Sequence, residues 1–202
     1  MLVKGASQMP FTDPPRFAAF EHRDSRAGYE VAFLRGDEVA TLIEGHTSAV
    51  LDGEPFAVSY AIELDPRWRT REARVRGQSL TGVHEVVVQA DHDGCWRVNG
   101  SRAPELDGCI DLDLELSSLT NAFPVRRLAL QVGTRAQAPA AWVRAGDLRV
   151  ERLEQQYERI ADTRDGHARF DYVAPAFNFR SELEYDVSGI IVAYPGIAVR
   201  SA

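Results

Sequence analysis

LDGCIDLDLELSSLTNAFPVRRLAL, residues Leu106–Leu130, runs an alternating strand pattern straight into a segment of helical spacing. Ile110, Leu112, Leu114 and Leu116 share one face of a period-two strand, and Asp111, Asp113 and Glu115 share the other. Same-face neighbours lie roughly 7 Å apart, so the two aspartates repel unless solvent, an arginine, a cation or a polar ligand answers them. Beyond the strand, Leu119, Phe123, Arg126, Arg127 and Leu130 repeat at helical spacing, with Ser117 or Ser118 available as N-cap. A single short helix is therefore predicted over about 118–130. Pro124 removes a backbone hydrogen bond unless it stands in the first turn, which moves the expected start of regular helix toward Asn121.

Upstream, YEVAFLR and EVATLIEG read as a hairpin turning at Arg35-Gly36-Asp37. PFAVSYAIELD places Phe56, Val58, Tyr60, Ile62 and Leu64 on one face until Pro66 interrupts the run, and WRTREARVRG follows as an arginine-loaded strand. VHEVVVQAD then leads into turns at Asp93-Gly94 and Asn99-Gly100. Downstream, PAAWVRAG is a strand, whereas DLRVERLEQQYERI fits a helix or a bulged strand equally by period and favours helix by propensity. HARFDYVAP, FNFRSELEYD and GIIVAYPGIAVR return to strands, with turns at Pro175 and Ser188-Gly189. Well over ten strands are too many for one flat sheet, so the chain is read as mainly β with a sheet that curls or closes. Residues 1–16, with Pro10, Pro14 and Pro15, are expected to form a flexible arm, and 17–202 a single β-rich domain.

The formal net charge of −7 argues against a nucleic-acid binder, which needs a clustered basic face. Lys4 is the only lysine, so the body of the chain can build neither a Walker phosphate loop nor a Schiff base. G-x-S-x-G, the dinucleotide glycine fingerprint and H-E-x-x-H are all missing, and no cofactor or metal site is predicted. Asp91-His92-Asp93-Gly94 resembles the opening of a calcium loop but lacks the closing glutamate, and reads as a hairpin turn. Cys95 and Cys109 are expected to be free thiols. No run reaches the length of a membrane helix and the start lacks an apolar signal core, so a cytoplasmic location is expected.

Several segments together resemble the bacterial glycolipid-binding family, formerly a family of unknown function. They are Gly94-x-Trp96, Leu106 to Leu114, and Thr120-Asn121-Ala122-Phe123-Pro124-Val125-Arg126-Arg127-Leu128. Pro55 to Tyr60, Asp65 with Trp68, Ala141 to Arg144 and Gln155-x-Tyr157 follow the family's order, so the likeness spans roughly 28–194. Ser118-Leu119 and Ala122-Phe123 depart from the family, which usually has a proline before Thr-Asn and Thr-Leu after it. The resemblance implies a long, strongly curved antiparallel sheet wrapped around the helix, remotely similar to lipoprotein-carrier folds. It further implies strand over 148–162, an acidic pocket, a homodimer, and binding of a glycolipid or related amphiphile without an attached reaction.

On that reading Asp65, Asp111 and Asp113 accept hydrogen bonds from sugar hydroxyls, and Tyr60 and Trp68 offer stacking surfaces. Arg126 or Arg127 balances the acids, and the motif residues Asn121, Gln155 and Tyr157 complete the site. Adjacent arginines on a helix diverge by about 100°, so one of the pair is expected to reach the acidic row. Three alternatives stand beside this reading. One is a buried Asp–Arg pair that anchors helix to sheet, another is a hydrolase or transferase of sugar-containing lipids using two carboxylates, and the last is a ligand-free dimeric scaffold.

Overall fold

The computed structural model describes residues 11–24 and 26–202. Residues 1–10 of the expected arm lie outside the described residues. Residues 11–16 have no regular structure, yet Phe11 packs against the core and the Thr12 amide donates to the Val187 carbonyl at 3.0 Å.

The first half is a meander: β1 (Phe17–His22), β2 (Arg26–Gly36), β3 (Thr41–Leu51), β4 (Glu54–Leu64), β5 (Thr70–Ser79) and β6 (Gly82–Ala90). The short β7 (Trp96–Val98) and β8 (Ser101–Arg102) extend it at one edge. Alternation behaves as predicted: Val58, Tyr60, Ile62 and Leu64 of β4 are buried while Ala57 and Glu63 point outward or toward the rim. β9 (Asp111–Leu114) and the helix follow. Then come β10 (Arg135–Gln137), β11 (Ala140–Val143), β12 (Val150–Leu153), β13 (Gln156–Ile160), β14 (Ala168–Ala174), β15 (Phe179–Tyr185), β16 (Ile191–Tyr194) and β17 (Ala198–Arg200). β17 pairs antiparallel with β1, which joins the two halves into one 14-stranded sheet running from β10 to β8 without closing.

The span predicted as helix divides in two: a 3-10 turn at Leu119–Asn121, then α1 (Ala122–Leu128), which ends on Ala129 in the left-handed conformation. Pro124 falls in the first turn of α1, where its missing N–H costs nothing. Residues from distant parts of the sheet meet this segment. Trp68, after β4, packs on Phe123 with ring centroids 6.2 Å apart. Tyr157 of β13 donates to Asn121 Oδ1 at 2.9 Å, and Tyr185 of β15 to the Asn121 carbonyl at 3.3 Å. The sheet thus wraps the helix, and Leu119, Ala122, Phe123 and Val125 are fully buried in the common core. Each large apolar side chain so buried contributes roughly 1.5–3 kcal/mol.

Two features depart from the expectations. β9 leaves the antiparallel sheet and pairs in parallel with β11, which pairs with β12 in a separate three-stranded sheet. Covered on both sides, it buries Asp111 along with Leu112 and Leu114. Within 148–162 the chain forms strand, as the resemblance implies, but it breaks at Glu154-Gln155 into β12 and β13, which belong to different sheets.

Candidate functional site

At the joint between β9 and α1, no serine side chain caps the helical segment. A carboxylate from another strand takes that place. Glu30 of β2 is fully buried and accepts from the Ser118 amide at 2.7 Å, the Ser117 hydroxyl and the Tyr60 hydroxyl at 2.6 Å. Burial pushes its carboxyl up, and these donors oppose the shift. Tyr60 reaches Glu30 from β4 by lying across Gly45 of the intervening β3, where an added methyl group would coincide with the phenol ring. Tyr60 is therefore a structural hydrogen-bond donor in this chain, 4% exposed, and presents no stacking face. Arg26 completes the joint, donating to the Glu115 carbonyl at 2.6 Å and to Ser118 Oγ at 3.3 Å.

The two aspartates of β9 meet different partners. Asp111 is 1% exposed and gripped by a fork from Arg127, Nε to Oδ1 at 2.9 Å and Nη2 to Oδ2 at 2.5 Å. Arg126 turns away, as the angular divergence requires. Asp113 has only neutral donors, Thr120 Oγ1 at 3.0 Å and Gln155 Nε2 at 2.5 Å. Burial pushes its carboxyl up to about 6 although both hydrogen bonds favour the charged form.

Asp113 opens on a cavity of about 220 Å³. Glu115, Arg26 and Asn121 bring further polar groups to its wall, and Trp142, Tyr172, Phe177, Phe179 and Tyr194 supply aromatic surface. Phe177 stacks edge-on against Trp142, 5.2 Å between centroids, at the break between β14 and β15. Among the described residues Arg26 Nε has no hydrogen-bond partner. Next to this guanidinium His22 is buried with both ring nitrogens unpartnered, and burial followed by the Arg26 charge lowers it to about 4.

The remaining predicted residues gather elsewhere. Asp65 closes its own turn, Oδ1 accepting from the amides of Arg67 at 2.9 Å and Arg69 at 3.0 Å, and Oδ2 from Arg71 at 2.6 Å. This holds Trp68 at a φ of 62°, a region that bulky side chains rarely adopt. The Trp68 ring lies under the Arg126 guanidinium, 4.0 Å from centroid to carbon, and is buried.

Of the ten sequence-predicted residues, Asp113 and Asn121 line the aromatic cavity. Gln155 and Tyr157 hold those two in place through hydrogen bonds. Asp65, Trp68, Asp111, Arg126 and Arg127 belong to a second cluster, and Tyr60 sits behind the joint. The reading missed Arg26, Glu30 and the aromatic wall. Period two would not have found the first pair, because Tyr29, Val31 and Phe33 make the odd face of β2 the more apolar in sequence, whereas the fold buries Arg26, Glu30, Ala32 and Leu34. Among the described residues no group of His, Cys, Asp and Glu is arranged to hold a metal. Both cysteines are free, and no helix is long and apolar enough to cross a membrane.

A family model described as "Putative glycolipid-binding" matches residues 20–200, and the chain belongs to that family. A crystal structure of a DUF1089 family protein from Pseudomonas aeruginosa is similar at 28% identity and a TM-score of 0.71, covering 98% of this chain and 97% of that one. A β-barrel-like protein of the DUF1849 domain of unknown function from Brucella abortus shares the fold at 9% identity and a TM-score of 0.53, over 91% and 93% of the two chains. None of the curated proteins matches.

Proposed function

We propose that this protein binds the sugar headgroup of a glycolipid or related amphiphile in the aromatic cavity beside Asp113. The observation that carries the reading is the pairing of a half-buried carboxylate with an aromatic wall. Sugar rings present hydroxyl donors at their edges and C–H faces that aromatic rings cover. A volume of about 220 Å³ is below the roughly 300–1,000 Å³ of sites that enclose a drug-sized ligand, so only one end of an amphiphile enters. Membership of the family supports the same ligand class. Asp113 and Asn121 would receive the hydroxyls, with Trp142, Phe177 and Phe179 against the ring. Mass spectrometry of a lipid extract from the purified protein should reveal a co-purifying glycolipid, and thermal shifts against candidate glycolipids should rank its headgroup. Absence of both, or an unchanged response in Asp113→Asn, would sink the reading.

A homodimer is proposed on a separate observation. Tyr29, Val31 and Phe33 point outward along β2 at 61%, 38% and 52% exposure, and Phe17 of β1 lies opposite Phe33. An exposed apolar row of this kind marks an association surface. Light scattering of the wild type and Phe33→Glu tests it, the variant being expected to run as a monomer.

A further inference from the structure

A cavity of about 370 Å³ is walled by four arginines, Arg67, Arg69, Arg126 and Arg127, with Trp68, Pro66 and Ile110. No carboxylate lines it, in a chain whose net charge is −7. Two of these cations are answered from outside the cavity: Arg127 by the Asp111 fork, and Arg69 by Asp65 at 3.3 Å. The other two, Arg67 and Arg126, have no carboxylate within 4.0 Å among the described residues, which include every Asp and Glu of the sequence.

Arg126 is the decisive group. It is 6% exposed, donates Nη1 to the carbonyls of Ser188 and, at 3.1 Å, Thr12, and stacks on Trp68. Its Nε is buried without a hydrogen-bond partner among the described residues. Asp13 and Asp186 act on it only at longer range, and Asp186 is occupied by Arg200 at 2.6 Å. Burying a guanidinium without a counter-ion is costly, and burial lowers this one to about 10. Arg126 also lines a wider groove of about 1040 Å³ that shares Pro66 and Trp68 with the cavity and carries Asp13, Asp37, Glu38 and Glu44 on its wall.

We propose that this cavity is an oxyanion site that takes a phosphate group, free or as part of a lipid headgroup, between Arg67 and Arg126. Guanidinium forks match tetrahedral phosphate oxygens in a way that a single ammonium cannot. This site stands independently of the sugar reading, because none of its residues lines the aromatic cavity.

The test uses the full chain titrated with sodium phosphate against sodium chloride at matched ionic strength, followed by calorimetry and thermal unfolding. Saturable phosphate binding with a raised unfolding midpoint is expected. Arg67→Glu, in an exposed turn position, should weaken it by about tenfold or more. An equal response to chloride, or undiminished binding in Arg67→Glu, overturns the proposal. Phosphatidylcholine vesicles with and without phosphatidylglycerol identify the source. Co-sedimentation with the anionic vesicles alone, competed by phosphate, assigns a lipid headgroup, whereas phosphate binding without co-sedimentation assigns a soluble phosphate. The response of Asp113→Asn to phosphate should equal that of the wild type, which separates this site from the sugar cavity.

Discussion

Asp111 and Asp113 stand two residues apart on one short strand, and the fold treats them in opposite ways. Asp111 is neutralised by a cation in fork geometry and sealed from solvent. Asp113 is held by a hydroxyl and an amide, has no ion-pair partner among the described residues, and faces a cavity. A carboxylate with a dedicated counter-ion is committed to the structure, whereas one held by neutral donors has acceptor capacity left for a ligand. The contrast divides the molecule into a helix anchor on one flank and a receptive wall on the other.

Removing the counter-ion should produce the largest effect. Arg127→Met leaves Asp111 buried without a partner and should cost about 3–5 kcal/mol in urea unfolding. Asp111→Leu combined with Arg127→Met should recover most of that loss, which would show that the pair is not itself the source of stability.

His22→Leu acts on the receptive flank, where ring nitrogens without partners carry a penalty of about 1–3 kcal/mol, and should stabilise the protein by about 1 kcal/mol at neutral pH. The folded-state pKa near 4 lies below the ordinary 6.5, so the unfolded chain takes the proton first as pH falls. The wild type loses stability through that window, and the advantage of His22→Leu should grow between about pH 6.5 and 4.

Asp113→Asn should change stability by less than about 1.5 kcal/mol at neutral pH while abolishing the glycolipid response. Its pH dependence has the opposite sense to that of His22. The folded carboxyl is raised from 3.8 to about 6, so its contribution is complete below the lower value and disappears as pH rises through the upper one. Wild type should therefore gain on Asp113→Asn as pH falls from about 6 to 4, in unfolding curves recorded side by side.

An exposed pair supplies the smallest effect. Arg76 and Glu85, with side chains 56% and 69% exposed, meet at 3.1 Å, and Arg76→Ala should shift stability by under about 0.5 kcal/mol. A larger loss there would weaken the distinction drawn between committed and surface charges.

Much of the fold was legible because period two is a local signal. The inward set of β4, the hairpin at Asp37 and the turn at Ser188-Gly189 all follow from residue order. Pro124 likewise located the first turn of α1. The partner of β9 was not legible, since nothing in Asp111–Leu114 distinguishes an antiparallel neighbour from the parallel β11. The acidic row was recognised as needing an answer, but which arginine provides it depends on the angle at which α1 leaves the strand. The aromatic wall was hidden for a similar reason. Trp142 lies in the three-stranded sheet, whereas Phe177 follows β14 and Tyr194 lies on β16 of the large sheet, so they converge only in the tertiary fold.

The crossing of Tyr60 over Gly45 has a consequence for how this molecule tolerates change. A single hydrogen atom on β3 makes room for a phenol that ties β4 to β2, and through Glu30 to the amide of Ser118. A methyl group at position 45 would thus be felt at the start of the helical segment, two side chains away from where it was added. The vacancy at Gly45 works as a keyway, and the helix is one of the parts it locks.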